Sequence, residues 1–174
     1  NGACLLGSFN LVKYVGDGSF DYGLFTHDIK HVTRAMDNIV DRTIYPLEEQ
    51  KIEAQNKRRM GLGITGLANA AEIMGFPYAS PSFMDFTKKV LETLRDYTYA
   101  TSSDLAVEKG SFPLYKAEEY LASPFVKSLS PWVQEKIKKQ GIRNSHLTSI
   151  APTGTISLTA DNVSSGIEPP FALF

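Results

Sequence analysis

The stretch from Ser149 to Ser157, SIAPTGTIS, decides how this chain is read. An apolar run halts at Pro152, and threonine, glycine, threonine and serine crowd the positions that follow. Upstream, NSHLTSIA (144–151) reads as a short strand, and downstream ISLTAD (156–161) is compatible with a helix. Strand, small-residue turn and helix start is the order in which unbonded helix N–H groups face an anion. Thr153, Gly154, Thr155, Ile156 and Ser157 would supply backbone donors, and the hydroxyls of Thr153, Thr155 and Ser157 could add to them. The same pattern also serves as an ordinary helix cap, so the residues alone leave both readings open. No Walker lysine is present, which removes the P-loop of that class.

Outward from this turn, helices alternate with short apolar strands. ACLLGSFNLV, from residue 3, reads as a buried strand interrupted at Gly7-Ser8. GDGSFDYG is punctuation, after which Thr26 can cap a helix carrying Ile29, Val32, Met36, Ile39 and Val40 at helical spacing. Pro46 ends that helix or starts the next. LEEQKIEAQNKRR places acids early and bases late, as a helix macrodipole favours. The small residues of MGLGITGLANA suggest a buried strand that a neighbour approaches closely, then a helix from about Leu67 to Met74 ended by Gly75. Ser80-Pro81 starts the longest helix, with Phe83, Phe86, Val90, Leu94, Tyr97 and Leu105 on one face and Gly110 as its stop. Residues 111–130 read as irregular with a short helix near Lys116 to Leu121, and SPWVQEKIKKQG repeats the Ser-Pro start and Gly stop. The alternation predicts an α/β layer or barrel in a single domain over 1–174.

Composition narrows the function classes. The 18 Lys and Arg nearly balance the 19 Asp and Glu, for a formal net charge of -1. That argues against a dominant nucleic-acid or anionic-membrane surface, though not against a local anion site. No apolar run is long enough to span a bilayer, and NGACLLGSFN is not a signal peptide. One cysteine, Cys4, excludes an internal disulfide framework and fits a reducing, cytoplasmic setting. With three histidines beside it, a closed zinc site is not expected, and no metal ligands are assigned.

Four stretches in order, CLLGSFNL (4–11), RRMGLGITGLAN (58–69), IAPTGTIS (150–157) and SSGIEPPFALF (164–174), resemble the catalytic large subunit of ribonucleotide reductases, of the class I and adenosylcobalamin-dependent class II kinds. The resemblance runs from Cys4 to Phe174. It implies a ten-stranded α/β barrel built of two five-stranded halves, of which this chain would form about half, and radical reduction of a ribonucleotide at C2′. It implies that the PTGTIS segment binds substrate phosphates through Thr153, Gly154, Thr155, Ile156 and Ser157, with Pro152 shaping the entrance. It also implies that Cys4 is one half of a redox pair, reducible by a thioredoxin- or glutaredoxin-like dithiol. Read without the resemblance, Cys4 is a small buried hydrophobe on a strand.

The resemblance puts other parts outside this stretch. The radical cysteine, in an Asn-x-Cys-x-Glu pattern, the partner of Cys4 and the nucleotide-specificity region would precede it, and the tyrosines of class I would follow it. The chain is therefore expected to be the second part of a catalytic barrel, inactive alone and dependent on the remainder of the subunit. No cofactor is expected on this chain alone. The complete enzyme would use adenosylcobalamin or a metal-radical partner subunit. Half a barrel leaves strand edges unpaired, so self-association is expected. Two alternatives stand beside this reading: a nucleotide- or phosphate-binding module without chemistry, and an unrelated α/β protein whose turn is a plain cap. Among other polar residues, NKRR reads as a solvated helix end or a phosphate contact, Glu168 as an anchor of its turn or a catalytic carboxylate, and His146 as structural. Ser164 and Ser165 either cap or line the site.

Overall fold

The computed structural model describes residues 2–170, and residues 171–174, which complete the SSGIEPPFALF stretch, lie outside them. β1 (Leu5–Asn10) runs into a 3-10 turn at Leu11–Tyr14 and a small hairpin, β2 (Val15–Gly16) with β3 (Ser19–Phe20). Asp17 and Gly18 both take positive φ between these strands, the geometry of a two-residue hairpin turn. α1 (Tyr22–Arg42) follows. Its cap is Asp21, whose carboxylate accepts the Leu24 N–H at 2.8 Å, and not Thr26. Asp21 offers a stronger acceptor one turn earlier, and Thr26 instead donates to the Gly23 carbonyl from within the helix.

α2 (Glu48–Lys57), β4 (Met60–Thr65), α3 (Leu67–Ile73) and α4 (Pro81–Lys109) come next. Ser80 caps α4 by accepting the Phe83 N–H, and Gly110 ends it, as the sequence predicts. Phe83, Phe86, Val90, Leu94 and Leu105 are buried along its face, while Tyr97 is half-buried against Trp132. α5 (Ala117–Ala122), the unanticipated single turn α6 (Pro124–Lys127), α7 (Pro131–Gln140) and α8 (Gly154–Thr159) complete the order.

β1 and β4 pair in parallel, from Leu5 opposite Met60 to Asn10 opposite Thr65. The expected third strand reaches the other edge of β4. Thr148 bridges Leu62 in parallel, and the Met60 and Ser149 N–H groups donate to the His146 and Leu62 carbonyls. All three segments therefore run the same way, with helices in the crossovers, which is α/β grammar. The sheet does not close among the described residues. They form a helix-rich α/β arrangement with few, short strands.

Every residue of β4 is buried. Met60, Leu62 and Ile64 enter the core with Phe25, Ile29 and Met36 of α1 and Leu94 of α4. Gly61 and Gly63 let neighbours close in. A Cβ at Gly61 would stand 2.7 Å from Leu6 Cδ2 and 3.0 Å from Ser149 Cβ, and one at Gly63 would collide with the Ser149 carbonyl oxygen. The expected close approach is thus built into the strand. Two expectations for β1 are corrected. Gly7-Ser8 does not interrupt it, because pairing to Leu62 and Gly63 carries the backbone through. Nor is it buried throughout, since Leu6 is 60% exposed on the face that the β4 glycines leave open.

Candidate functional site

The SIAPTGTIS turn lies at the carboxyl ends of the three parallel segments. Thr153 is the N-cap of α8, buried, with left-handed φ 54 and ψ 18. Its Oγ1 accepts the Gly166 N–H at 2.8 Å and sits 3.4 Å from the Thr65 hydroxyl at the end of β4. The Ser164 carbonyl in turn accepts from Thr65 Oγ1 at 2.8 Å and from the Gly66 N–H at 2.7 Å. Asn69 Oδ1 accepts the Ser164 N–H. Asn10, at the end of β1, donates through Nδ2 to the Ala160 carbonyl and to Asp161, tying down the far end of α8. The turn is thereby clipped to β1, to β4 and to the 163–166 loop.

This clipping divides the expected site residues. Ser157 is buried, and its hydroxyl donates to the Gly154 carbonyl, so it and Thr153 hold the turn together. Gly154, Thr155 and Ile156 are exposed, and no side chain caps α8. Their N–H groups are the first of the helix and have no intrahelical acceptor. Pro152 is exposed beside them, and a Cβ at Gly154 would meet nothing within 4 Å. Ser164 lies beneath the turn, with its Oγ buried and unpartnered among the described residues. Ser165 accepts the Glu168 N–H at its carbonyl, and the Glu168 side chain is exposed. Asn10 and Asn69 escaped the sequence reading. Their one local signal is an amide side chain at a strand end and in the first turn of α3.

Cys4 is exposed at the other end of β1, which does not fit the buried-hydrophobe reading. A Cβ placed at Gly61 would be 3.8 Å from Cys4 Sγ and 3.0 Å from Ser149 Cβ. Cys4, Gly61 and Ser149 therefore form a row across the three segments. Partial burial pushes the thiol pKa up and the nearby Arg59 charge opposes that, leaving it raised. Thr153 follows Ser149 by four steps along the chain, a span of at most roughly 14 Å. Ser8 lies opposite Gly63 between row and turn, with its Oγ buried and unpartnered among the described residues.

NKRR is not simply a solvated helix end. Arg58 takes a left-handed conformation that ends α2, and its guanidinium turns inward. It donates to Asp37 Oδ1 at 2.7 and 2.9 Å and to Asp41 Oδ1 at 2.6 Å. Asn144 Nδ2 donates to Asp37 and to the Arg58 carbonyl, Ser102 donates to Asn144 Oδ1, and Lys109 lies 3.1 Å from Asp37 Oδ2. Burial works against the Asp37 charge, but the Arg58 hydrogen bonds and charge, with Lys109 and Asn144, outweigh it and hold its carboxyl below the ordinary range. The network fixes the starts of β4 and of the third segment, one residue or two after Arg58 and Asn144. No group of three or more His, Cys, Asp or Glu side chains suited to a metal occurs among the described residues, and no helix there is long and apolar enough to cross a membrane.

Fold and site together define an α/β domain with an exposed thiol at the start of one strand and an uncapped small-residue turn at the strands' carboxyl ends. A family model described as "Ribonucleotide reductase, barrel domain" matches residues 1–174, and the chain belongs to that family. It is 37% identical over 172 residues to a vitamin B12-dependent ribonucleoside-diphosphate reductase of Thermoplasma acidophilum, covering 98% of this chain and 20% of that protein. It is 30% identical over 190 residues to a ribonucleoside-diphosphate reductase subunit alpha of Chlamydia pneumoniae, covering 97% of this chain and 18% of that protein. With a ribonucleoside-diphosphate reductase large subunit of Variola virus, identity is 29% over 178 residues, covering 95% and 23%. The chain thus spans about a fifth of the length of the curated relatives it matches.

Proposed function

We propose that this chain forms part of the catalytic barrel of a ribonucleotide reductase, an oxidoreductase that makes deoxyribonucleotides for DNA synthesis. The observation that carries this reading is the family match over the whole chain. The geometry supports it by setting an exposed thiol and an uncapped small-residue turn on one short sheet. The exposed N–H groups of Gly154, Thr155 and Ile156 hold the substrate phosphates, with Thr155 Oγ1 as a further donor and Pro152 at the entrance. Thr153 and Ser157 fix the turn from beneath. The diphosphate level fits the relatives, which are named ribonucleoside-diphosphate reductases.

Cys4 serves as one half of the reductant. Two thiols together supply two electrons. The C2′–O bond breaks, the hydroxyl leaves as water, hydrogen is delivered to C2′, and an S–S bond forms between Cys4 and the second thiol. The chain contains one cysteine, so the second thiol and the radical thiol come from residues outside 1–174. A dithiol protein of the thioredoxin or glutaredoxin kind then exchanges with the disulfide. Relatives include proteins named as vitamin B12-dependent and proteins named as subunit alpha. The initiating radical is supplied by adenosylcobalamin or by a metal-radical partner subunit. No residue of this chain is assigned to either. The outer edge of β1 has no strand partner among the described residues and pairs with the rest of the barrel; when 1–174 is isolated, it drives self-association.

The test is Cys4→Ser in the full polypeptide that carries this sequence. Because Cys4 is exposed, the substitution leaves the core intact, and multiple turnover with a dithiol reductant should stop. Undiminished steady-state turnover in the folded variant overturns the role. The family match disfavours both the non-catalytic binding module and the unrelated α/β protein.

A further inference from the structure

A cavity of about 570 Å³ opens at the amino ends of the strands, away from the SIAPTGTIS turn, between the end of α2, α4, α5, α6 and the start of the third segment. Its walls are two aromatic pairs. Tyr99 packs on Phe125 at 5.4 Å between ring centroids, and Phe112 meets Tyr120 edge-on at 5.9 Å. Tyr120 is held by donating its hydroxyl to the Ser145 carbonyl at 3.2 Å. The rim is cationic. Lys57 and Arg59 lean on the single carboxylate Glu53, which leaves one positive charge in surplus. The Arg59 contact is long, at 3.4 Å, and is the one side-chain hydrogen bond Arg59 makes among the described residues, so most of its five donors remain available. Lys116 is matched by Glu119 and adds nothing to the surplus. His146, also on the rim, reports the same field: desolvation first, then the charges of Arg59 and Lys57, push its pKa below the ordinary value.

We propose that this cavity binds a small molecule that joins a planar aromatic ring to a phosphate, with the ring between the Tyr99–Phe125 and Phe112–Tyr120 pairs and the phosphate on Arg59 and Lys57. Its volume is that of ordinary small-ligand pockets. Arg and Lys suit a phosphate, the former by its two-pronged geometry, and aromatic side chains suit a flat ring. The site is separate from the substrate turn and does not depend on the reaction proposed above.

The test is calorimetric titration of the full polypeptide with adenosine 5′-monophosphate, with adenosine and inorganic phosphate as separate arms. The nucleotide should bind, and each half alone should bind at least tenfold more weakly. Phe125→Ala removes an aromatic wall that is already 45% exposed, so the fold should survive it, and it should weaken nucleotide binding about tenfold. Lys57→Gln should do so independently. Gly154→Val, which acts at the substrate turn and not on the cavity lining, should leave unchanged the part of the binding that Phe125→Ala and Lys57→Gln weaken. Absence of nucleotide binding, including through occupation of the cavity by another segment of the polypeptide, overturns the proposal. So does binding that neither cavity substitution alters, or that Gly154→Val alone abolishes.

Discussion

At the amino ends of the strands, Arg58, Asp37, Asn144 and Ser102 hydrogen-bond one another in the interior. At the carboxyl ends, the first N–H groups of α8 face solvent at Gly154, Thr155 and Ile156 with no side-chain cap. The same strands join these two regions. The buried network has its charges paired and its backbone held, and the uncapped helix start keeps backbone donors unspent. A buried charge without partners is far costlier than an exposed N–H that water can solvate. The first region therefore tolerates no loss of a partner, while the second stays open at little cost to the fold.

The largest expected effect follows from removing the hub of the paired end. Asp37→Ala leaves the Arg58 guanidinium, 3% exposed, without its main partner, and should destabilise by about 3–5 kcal/mol. Denaturant unfolding measures this, and a loss under about 1 kcal/mol would mean that water or Asp41 replaces Asp37. The sign of the pH dependence is fixed as well. The Asp37 pKa is lowered in the folded state, so its stabilisation is fully present above the unfolded carboxylate value of about 3.9 and fades as pH falls through the folded value. The stability gap between wild type and Asp37→Asn should therefore narrow below about pH 4, and a gap that widens there contradicts the network.

A smaller effect is expected where the two ends communicate. Gly63→Ala pushes a Cβ against the Ser149 carbonyl and must displace the segment that leads into the turn. A cost of about 1–3 kcal/mol is expected, as for overpacking in a core, together with weaker substrate binding. Unchanged stability would show that the third segment slides freely along β4. At the open end the ordering reverses, with ligand affected more than fold. Gly154→Val meets no neighbour, so stability should shift by no more than about 0.5 kcal/mol. Substrate affinity, read by titration, should fall about tenfold, or about 1.4 kcal/mol, because the side chain stands over the exposed N–H groups. A fully retained affinity returns the turn to a plain helix start. The mildest change is Thr155→Ala, which removes one exposed hydroxyl and should cost about 0.5–1.5 kcal/mol of binding with no loss of fold.

The sequence by itself determined the elements that local chemistry specifies. Ser80-Pro81 and Gly110 bound α4 because a hydroxyl cap, a proline at the first helical position and a glycine stop act within a few residues. Gly61 and Gly63 announced a close approach because only the loss of Cβ lets a strand come so near. The turn at Pro152–Ser157 was legible for the same reason, since its donors are backbone groups whose availability follows from position in a helix. Tertiary structure alone decided the rest. That Thr153 and Ser157 brace the turn while Gly154, Thr155 and Ile156 face outward depends on Thr65, Gly166 and Ser164, distant in sequence. That Arg58 is buried and its neighbours Lys57 and Arg59 are not depends on Asp37 and Asn144, which lie 21 and 86 residues away. A guanidinium reads the same in sequence whether it meets water or carboxylates, and only the packing of α1, α4 and the third segment supplies the partners that make its burial favourable.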